Sequence, residues 1–230
     1  MAPEPGVVVV VGLADIAAAS RLWGYARFLG GRFALPRFPG LRFAKMLGSG
    51  HEGGFGLRPS GSRHGFLCVF DGDDEADRLL QSGFVGAYRA RSRELLTVKL
   101  RAYSSRGEWS GHRIGLGASV PADGPIATLT RASIRWSRAR AFWRKAPPAE
   151  QSLEQASGCL LAVGLGEAPV FRQATFSLWD SVESMDRYAR GGAHLEAIRA
   201  AHSGGFFSES MFVRFVPYEL RGVWKGRTFG

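Results

Sequence analysis

Side chains suited to holding a transition metal are scarce in this sequence: five histidines, His51, His64, His112, His194 and His202, and two cysteines, Cys68 and Cys159. His51 sits in the loop GSGHEGGFG, His64 opens a strand after residues 60–63, and His112 follows the turn GEWSG, positions that suit solvated or turn-capping roles. His194 differs, because an internal repeat supplies a control. Aligning GFVGAYRA (83–90) with AHLEAIRA (193–200) puts Ala87, Arg89 and Ala90 on Ala197, Arg199 and Ala200, and sets His194 opposite Phe84. Where a side chain packs toward a sheet, packing alone selects Phe. An imidazole there needs a partner on its N–H, and its other nitrogen is free to bind a metal. A core histidine bonded to a carbonyl is the competing account. His202 lies eight residues further on, about 80° round the same helix; it could flank the same pocket, and the HSGG helix end favours a role on the terminal carbonyls.

Both cysteines lie in apolar runs, HGFLCVF and SGCLLAV, where a thiol acts as a small hydrophobe, so the sequence offers no disulfide framework and no zinc site. No His-x-x-x-His with Glu, Cys-x-x-Cys, Walker loop or nucleophile elbow is present, and hydrolase and nucleotide-dependent readings lose support. The Gly-x-Gly spacing in LGSG and VGLG reads as hairpin turns, and the Trp of each GxWxG segment as the cover of a sheet edge.

The elements that must position these residues form a repeat. Leu41–Gly50, Gly65–Phe70, an acidic stretch, a helical stretch through Arg91, the alternating run Leu95–Tyr103 and GEWSG (107–111) recur in the same order. The second set is Leu160–Gly166, Ala174–Trp179, Asp180, a helical stretch through His202, Met211–Tyr218 and GVWKG (222–226). The pairs Gly48/Gly164, Gly50/Gly166, Tyr103/Tyr218 and Trp109/Trp224 are offset by 115 or 116 residues. Each copy opens with a strand and a helix, Val7–Leu13 with Ile16–Gly30 and Ile126–Ile134 with Trp136–Ala146. The helical period picks out Ile16, Ala19, Leu22, Trp23, Ala26 and Leu29, then Ala139, Phe142 and Trp143, as packing faces. Strand, helix, strand, strand, helix, strand is the ferredoxin-like order. Each sheet would be covered by helices on one face only, and the bare face needs a partner. The sequence therefore predicts an α+β protein of tandem ferredoxin-like repeats, 1–120 and 121–230, forming a fused dimeric α/β barrel with room between sheet and helix for a large flat or greasy ligand. The boundary falls in the turn-rich Val120–Pro125.

With 230 residues, 45% hydrophobic and 22% charged, the chain is neither disordered nor collagenous. Its net charge of +10 comes from 26 Arg and four Lys against 20 carboxylates. Codon bias, anionic cofactors and lipid surfaces all fit such a skew. Nucleic acid fits less well, because the cations across 131–144 spread round a strand and a helix without interleaved aromatics. A lipid surface is the better use of that cluster. The opening MAPEPGVVVVVGLAD lacks a basic leader, and no window approaches the roughly 20 apolar residues of a membrane span. A cytoplasmic protein is expected, with any contact to the inner membrane peripheral.

LRFAKMLGSG (41–50), LTRASIR (129–135), ARAFWRKAPP (139–148), ATFSLWDSVESMDRYA (174–189), AHLEAIRAA (193–201) and GGFFSESMFVRF (204–215) resemble the spheroidene monooxygenase family of bacterial carotenoid ketolases. The resemblance runs over nearly the whole chain and is most specific in LTRASIR and FSLWDSVESM. It implies oxygen insertion into an acyclic carotenoid, and haem b bound by the C-terminal half with His194 as the proximal iron ligand. Trp179, Phe176 and Arg199 complete the cofactor-binding set it implies, and Phe206 and Phe207 join the apolar lining, although the same aromatics suit an ordinary core. The expected partners are a hydrophobic small molecule, an external electron donor and, in some forms, a second copy. No residue presents itself for the oxygen-handling side. A haem-containing dehydratase of the same fold, and a non-catalytic ligand-binding barrel with His194 as a core residue, are the alternative readings.

Overall fold

The computed structural model describes residues 6–54, 58–144, 153, 155–168, 171–191 and 205–230. Its first strand, β1 (Val8–Ile16), is buried on both faces, as the unbroken apolar run VVVV requires. Val9, Val11 and Leu13 point to one cluster, while Val8, Val10, Ala14 and Ile16 point to another. The strand runs three residues beyond the apolar run that marks it in the sequence. Its buried Asp15 is held by Arg93 at 2.7 Å and by the more distant Arg63 at 3.9 Å. Burial alone would raise the Asp15 carboxyl, but hydrogen bonds from Arg93 and Ser62 and the two guanidinium charges keep it below the usual range.

Helix α1 (Arg21–Gly30), β2 (Leu41–Gly50), β3 (Pro59–Phe70), α2 (Asp73–Gln81), α3 (Gly83–Arg91) and β4 (Ser92–Gly107) follow. Then come β5 (Ile126–Ile134), β6 (Cys159–Ala168), β7 (Arg172–Trp179), α4 (Val182–Ala189), β8 (Phe207–Trp224) and β9 (Arg227–Phe229). Eight strands in the order β4-β1-β3-β2-β6-β7-β5-β8 pair antiparallel throughout, and β8 returns to β4. The result is the expected closed barrel with helices outside, and closure leaves none of the eight as an open edge.

The two joins differ. β4 and β8 pair from Leu96↔Gly222 to Gly107↔Met211, whereas β2 and β6 meet only at Gly48↔Gly166 and Ser49↔Leu165. The glycine motifs expected as hairpin turns are thus the narrow seam of the barrel. Ser49 Oγ donates to the Gly164 carbonyl across it at 2.6 Å. A Cβ on Gly48 would sit 3.3 Å from the Phe28 ring of α1, so the missing side chain lets the helix settle on the seam.

The barrel interior is filled by the inward residues of all eight strands, among them Leu67, Val98, Leu129, Val163, Phe176 and Phe215. Trp109 and Trp224 join that cluster and are fully buried. They plug the barrel instead of covering a sheet edge: Trp109 follows the end of β4 and Trp224 is the last residue of β8, and both side chains join the interior cluster.

Two helical expectations change. The stretch through Arg91 divides into α2 and α3 at Ser82, whose Oγ donates to the Leu79 carbonyl at 2.6 Å while its backbone turns extended. In α1 the predicted packing face is partly reversed. Gly24 and Phe28 lie against β3 and β2, leaving Leu22 and Leu29 in solvent.

Candidate functional site

Alternation along the strands defines the helix-facing wall on the β5–β8 side. Ala127, Leu129, Ala174, Phe176 and Leu178 point into the barrel. Their neighbours Thr128, Thr130, Thr175, Ser177 and Trp179 therefore point outward. Register pairs allow a comparison with the β1–β4 side. There the outward pairs are Val8↔Phe70, Val10↔Cys68, Gly12↔Phe66 and Ala14↔His64; here they are Ile126↔Trp179, Thr128↔Ser177, Thr130↔Thr175 and Ala132↔Gln173.

The third pair carries the difference. Phe66 lies so close over Gly12 that a Cβ there would fall 2.1 Å from its ring, and it packs edge-on against Phe84 with centroids 5.4 Å apart. Phe66, Phe84 and Tyr88 together seal that wall. On the other side two threonines replace the Gly–Phe pair. Thr130 is exposed in the middle of its strand, and Thr175 is half-buried. Beside them Thr128 and Ser177 share a hydrogen bond of 2.8 Å, and the Trp179 indole N–H donates to Ser177 Oγ at 2.9 Å. Among the described residues this hydroxyl-lined wall is open where its counterpart is filled by a ring, and it fits a flat group laid against the sheet.

Phe84, the expected aromatic plug, is buried against the sheet. His194 and Arg199, like His202, lie outside the described residues. Phe176 and Trp179 are both buried but face opposite sides of β7, as a three-residue separation in a strand dictates. Phe176 belongs to the barrel interior, while Trp179 packs with Met185 and Ile126 beneath α4, its ring 5.3 Å from that of Tyr188. Of the two, only Trp179 borders the open wall. Phe206 is buried, and Phe207 stands 5.9 Å from Phe142.

A second polar constellation, not evident in the sequence, closes one end of the barrel. Glu167 accepts from Lys45 Nζ at 2.6 Å, from the Trp109 indole at 2.8 Å and from Arg131 at 3.2 Å, and Arg131 also pairs with Glu209. Arg131, which the sequence groups with surface cations, has a side chain only 2% exposed. Burial alone would raise the Glu167 carboxyl; hydrogen bonds from Lys45 and Trp109 and the charges of Lys45 and Arg131 more than offset this and hold it low. A cavity of about 90 Å³ lies alongside, lined by Phe43, Trp109, His112, Arg113 and Met211 among others. Lys45, Arg131 and Glu167 come from three strands far apart in sequence, so no spacing rule links them.

His64 departs furthest from expectation. It stands on β3 facing α1, 3% exposed, with both ring nitrogens lacking a hydrogen-bond partner among the described residues. Tyr25 meets its ring edge-on at 5.9 Å, and a Cβ on Gly24 would come within 3.3 Å of Nε2. Desolvation pushes its pKa down to about 4, against a weaker upward pull from Asp15, so the ring is neutral at pH 7. Three turn-type residues upstream, Ser60, Gly61 and Ser62, made this look like a strand opening, but β3 already begins at Pro59. Among the described residues no group of histidine, cysteine and carboxylate side chains is arranged to hold a metal ion, and no helix is long and apolar enough to cross a membrane.

No family model matches the chain. It is 33% identical over 210 residues to the spheroidene monooxygenase of Rhodobacter capsulatus, covering 89% of this chain and 87% of that one. A crystal structure of an aldoxime dehydratase shares the fold, with a TM-score of 0.56 at 12% identity over 93% of this chain and 79% of that chain. The spheroidene monooxygenase of Rubrivivax gelatinosus is 57% identical over 226 residues, which span 98% of this chain and 88% of the relative. Identity of that extent, continuous through both sides of the barrel, makes this chain a member of the spheroidene monooxygenase family.

Proposed function

We propose that the protein is a haem-dependent monooxygenase that inserts oxygen into an acyclic carotenoid of the spheroidene type, its haem lying against the β5–β7 wall. The observation that carries the site is the replacement of the Gly12↔Phe66 pair by Thr130↔Thr175. In the alignment of the repeats, His194 likewise replaces Phe84, so both members of the Phe66–Phe84 aromatic contact give way to smaller or polar groups. The same correspondence of strand order and register supports a tandem pair of ferredoxin-like units, 1–120 and 121–230, with one cofactor in the second.

Haem, when bound, would supply the activation of dioxygen. The chain's own residues would bind and orient. His194 would donate an imidazole nitrogen to the iron, and Arg199, on the same predicted helix, would carry a cation toward an anionic edge of the group. Thr128, Ser177 and Trp179 form a mutually hydrogen-bonded border that holds the wall's shape. Phe176 would act from behind, by filling the barrel under the wall. Electrons would come from an external donor.

The test is the absorption spectrum of the full chain before and after haemin is added, with a pyridine haemochrome assay. One haem per chain and a Soret band lost or displaced in His194→Ala, restored by imidazole and unchanged in His202→Ala, are expected. Two haems per chain, or loss only in His202→Ala, would refute the assignment. Oxygen uptake on turnover separates monooxygenation from dehydration.

A further inference from the structure

We infer that the outer face of α1 and the turn after it dock on an anionic lipid surface. Leu22, Leu29 and Phe33 are 86%, 79% and 85% exposed, and Tyr25, between them, is 41% exposed. Leu22 and Leu29, two turns apart, share one side of α1, away from Gly24 and Phe28, which rest on the sheet, while Tyr25 lies at the edge of that side with its ring against His64. The helix is therefore apolar on both sides, and Leu22 and Leu29 on its outer side are left uncovered by the described residues.

The charge around it decides what that cover is. From 16 to 51 the chain carries Arg21, Arg27, Arg32, Arg37, Arg42 and Lys45 and not one carboxylate. The corresponding stretch 124–149 carries Arg131, Arg135, Arg138, Arg140, Arg144 and Lys145, again with no carboxylate. The remainder holds 18 cations and 20 carboxylates, so the whole surplus of ten arises in these two stretches. Some of these cations are committed internally: Arg42 to Asp71, Lys45 to Glu167, Arg131 within the barrel. Arg21 and Arg37, which flank the apolar positions in sequence, are exposed.

An apolar stripe rimmed by cations is the composition of an interfacial helix, whose side chains enter the acyl boundary while arginines meet phosphate head groups. A second copy of the chain would bring the same carboxylate-free stretch against itself across a two-fold axis, where like charges repel. A nucleic acid would satisfy the arginines but leave Leu22 and Leu29 in water. This inference involves neither haem nor oxygen, so its failure leaves the proposed function intact.

The experiment is co-sedimentation of the full chain with vesicles of phosphatidylcholine alone and with vesicles in which a third of the lipid is phosphatidylglycerol. We expect at least tenfold stronger partition onto the anionic vesicles, weakened by salt. The double variant Leu22→Ser, Leu29→Ser should lose about tenfold in partition with an unchanged thermal melt, since both side chains are exposed. Arg21→Glu with Arg37→Glu should lose at least as much, at about fivefold per cation removed from the surface. Should the first variant misfold, Leu22→Ser tests the same stripe. Equal binding to both vesicles, retention of the wild-type chain in the supernatant, or unchanged binding of the variants would overturn the proposal. So would a dimer in solution that Leu29→Ser converts to monomer, which would assign the stripe to a second copy.

Discussion

Acidification from pH 6.5 toward pH 4 should remove stability through His64. In the unfolded chain its imidazole takes up a proton near 6.5, while in the folded protein burial holds its pKa down to about 4. Above 6.5 both states are neutral there and the contribution is constant. Between the two values only the unfolded chain binds the proton, so folding loses about 1.4 kcal/mol per pH unit. Over the full window this amounts to about 3 kcal/mol, and from pH 6.5 to pH 5 to about 2 kcal/mol. His64→Gln removes the titration and introduces the residue found at the corresponding register position, Gln173. Urea unfolding of both proteins at pH 7, 6.5, 5.5 and 5 should give curves that run level at the top and diverge by about 2 kcal/mol at the bottom, with the wild type falling faster. Parallel pH dependence across that range would refute the reasoning, and would mean that the folded state admits a proton to the ring.

Refilling the open wall should exclude the cofactor: Thr175→Phe, which restores the ring that the β1–β4 side has at Phe66, should lower haem retention at least tenfold, equivalent to about 1.4 kcal/mol, in haemin titrations of a normally folded protein. Full retention would show that the wall is not the haem site. Glu167→Gln should destabilise the fold by about 3 kcal/mol in urea, since it leaves Lys45 and buried Arg131 short of a counter-charge, whereas the more exposed Glu209→Gln should cost less. The Glu167 contribution is present above the ordinary carboxylate pKa and declines as pH falls through its lowered folded value.

The strands and their order were legible because their signal is local. VVVV, GFLCVF and ATFSLW alternate or run apolar in ways that a sheet buried on both faces demands, and the glycine and tryptophan landmarks give the spacing of the repeat. What was not legible depends on the partner of each residue. LGSG has the composition of a turn, yet the barrel uses its glycines for a close approach between β2 and β6. Apolar periodicity in α1 marks two faces, and nothing in the helix says which one meets the sheet; Gly24 decides it, because only a residue without a side chain lets Ile16 and His64 sit beneath. Arg131 reads as one cation in a basic run until β6 brings Glu167 to it.

The asymmetry between the two walls ties these observations together. Matched strand order gives the two sides corresponding outward pairs, so strand order alone provides no reason for one wall to be closed by aromatic rings and the other to be lined with hydroxyls. Burying threonine and serine at Thr128 and Ser177 costs free energy unless they bond to something, and here they bond to each other and to Trp179. Among the described residues Thr130 and Thr175 have no such arrangement, and they retain access to solvent. A sheet covered by helices for packing alone would place apolar volume at that point, as Phe66 does on the other side. The threonine pair is the place where this sequence gives up packing, and it is there that a bound group would restore the missing contact.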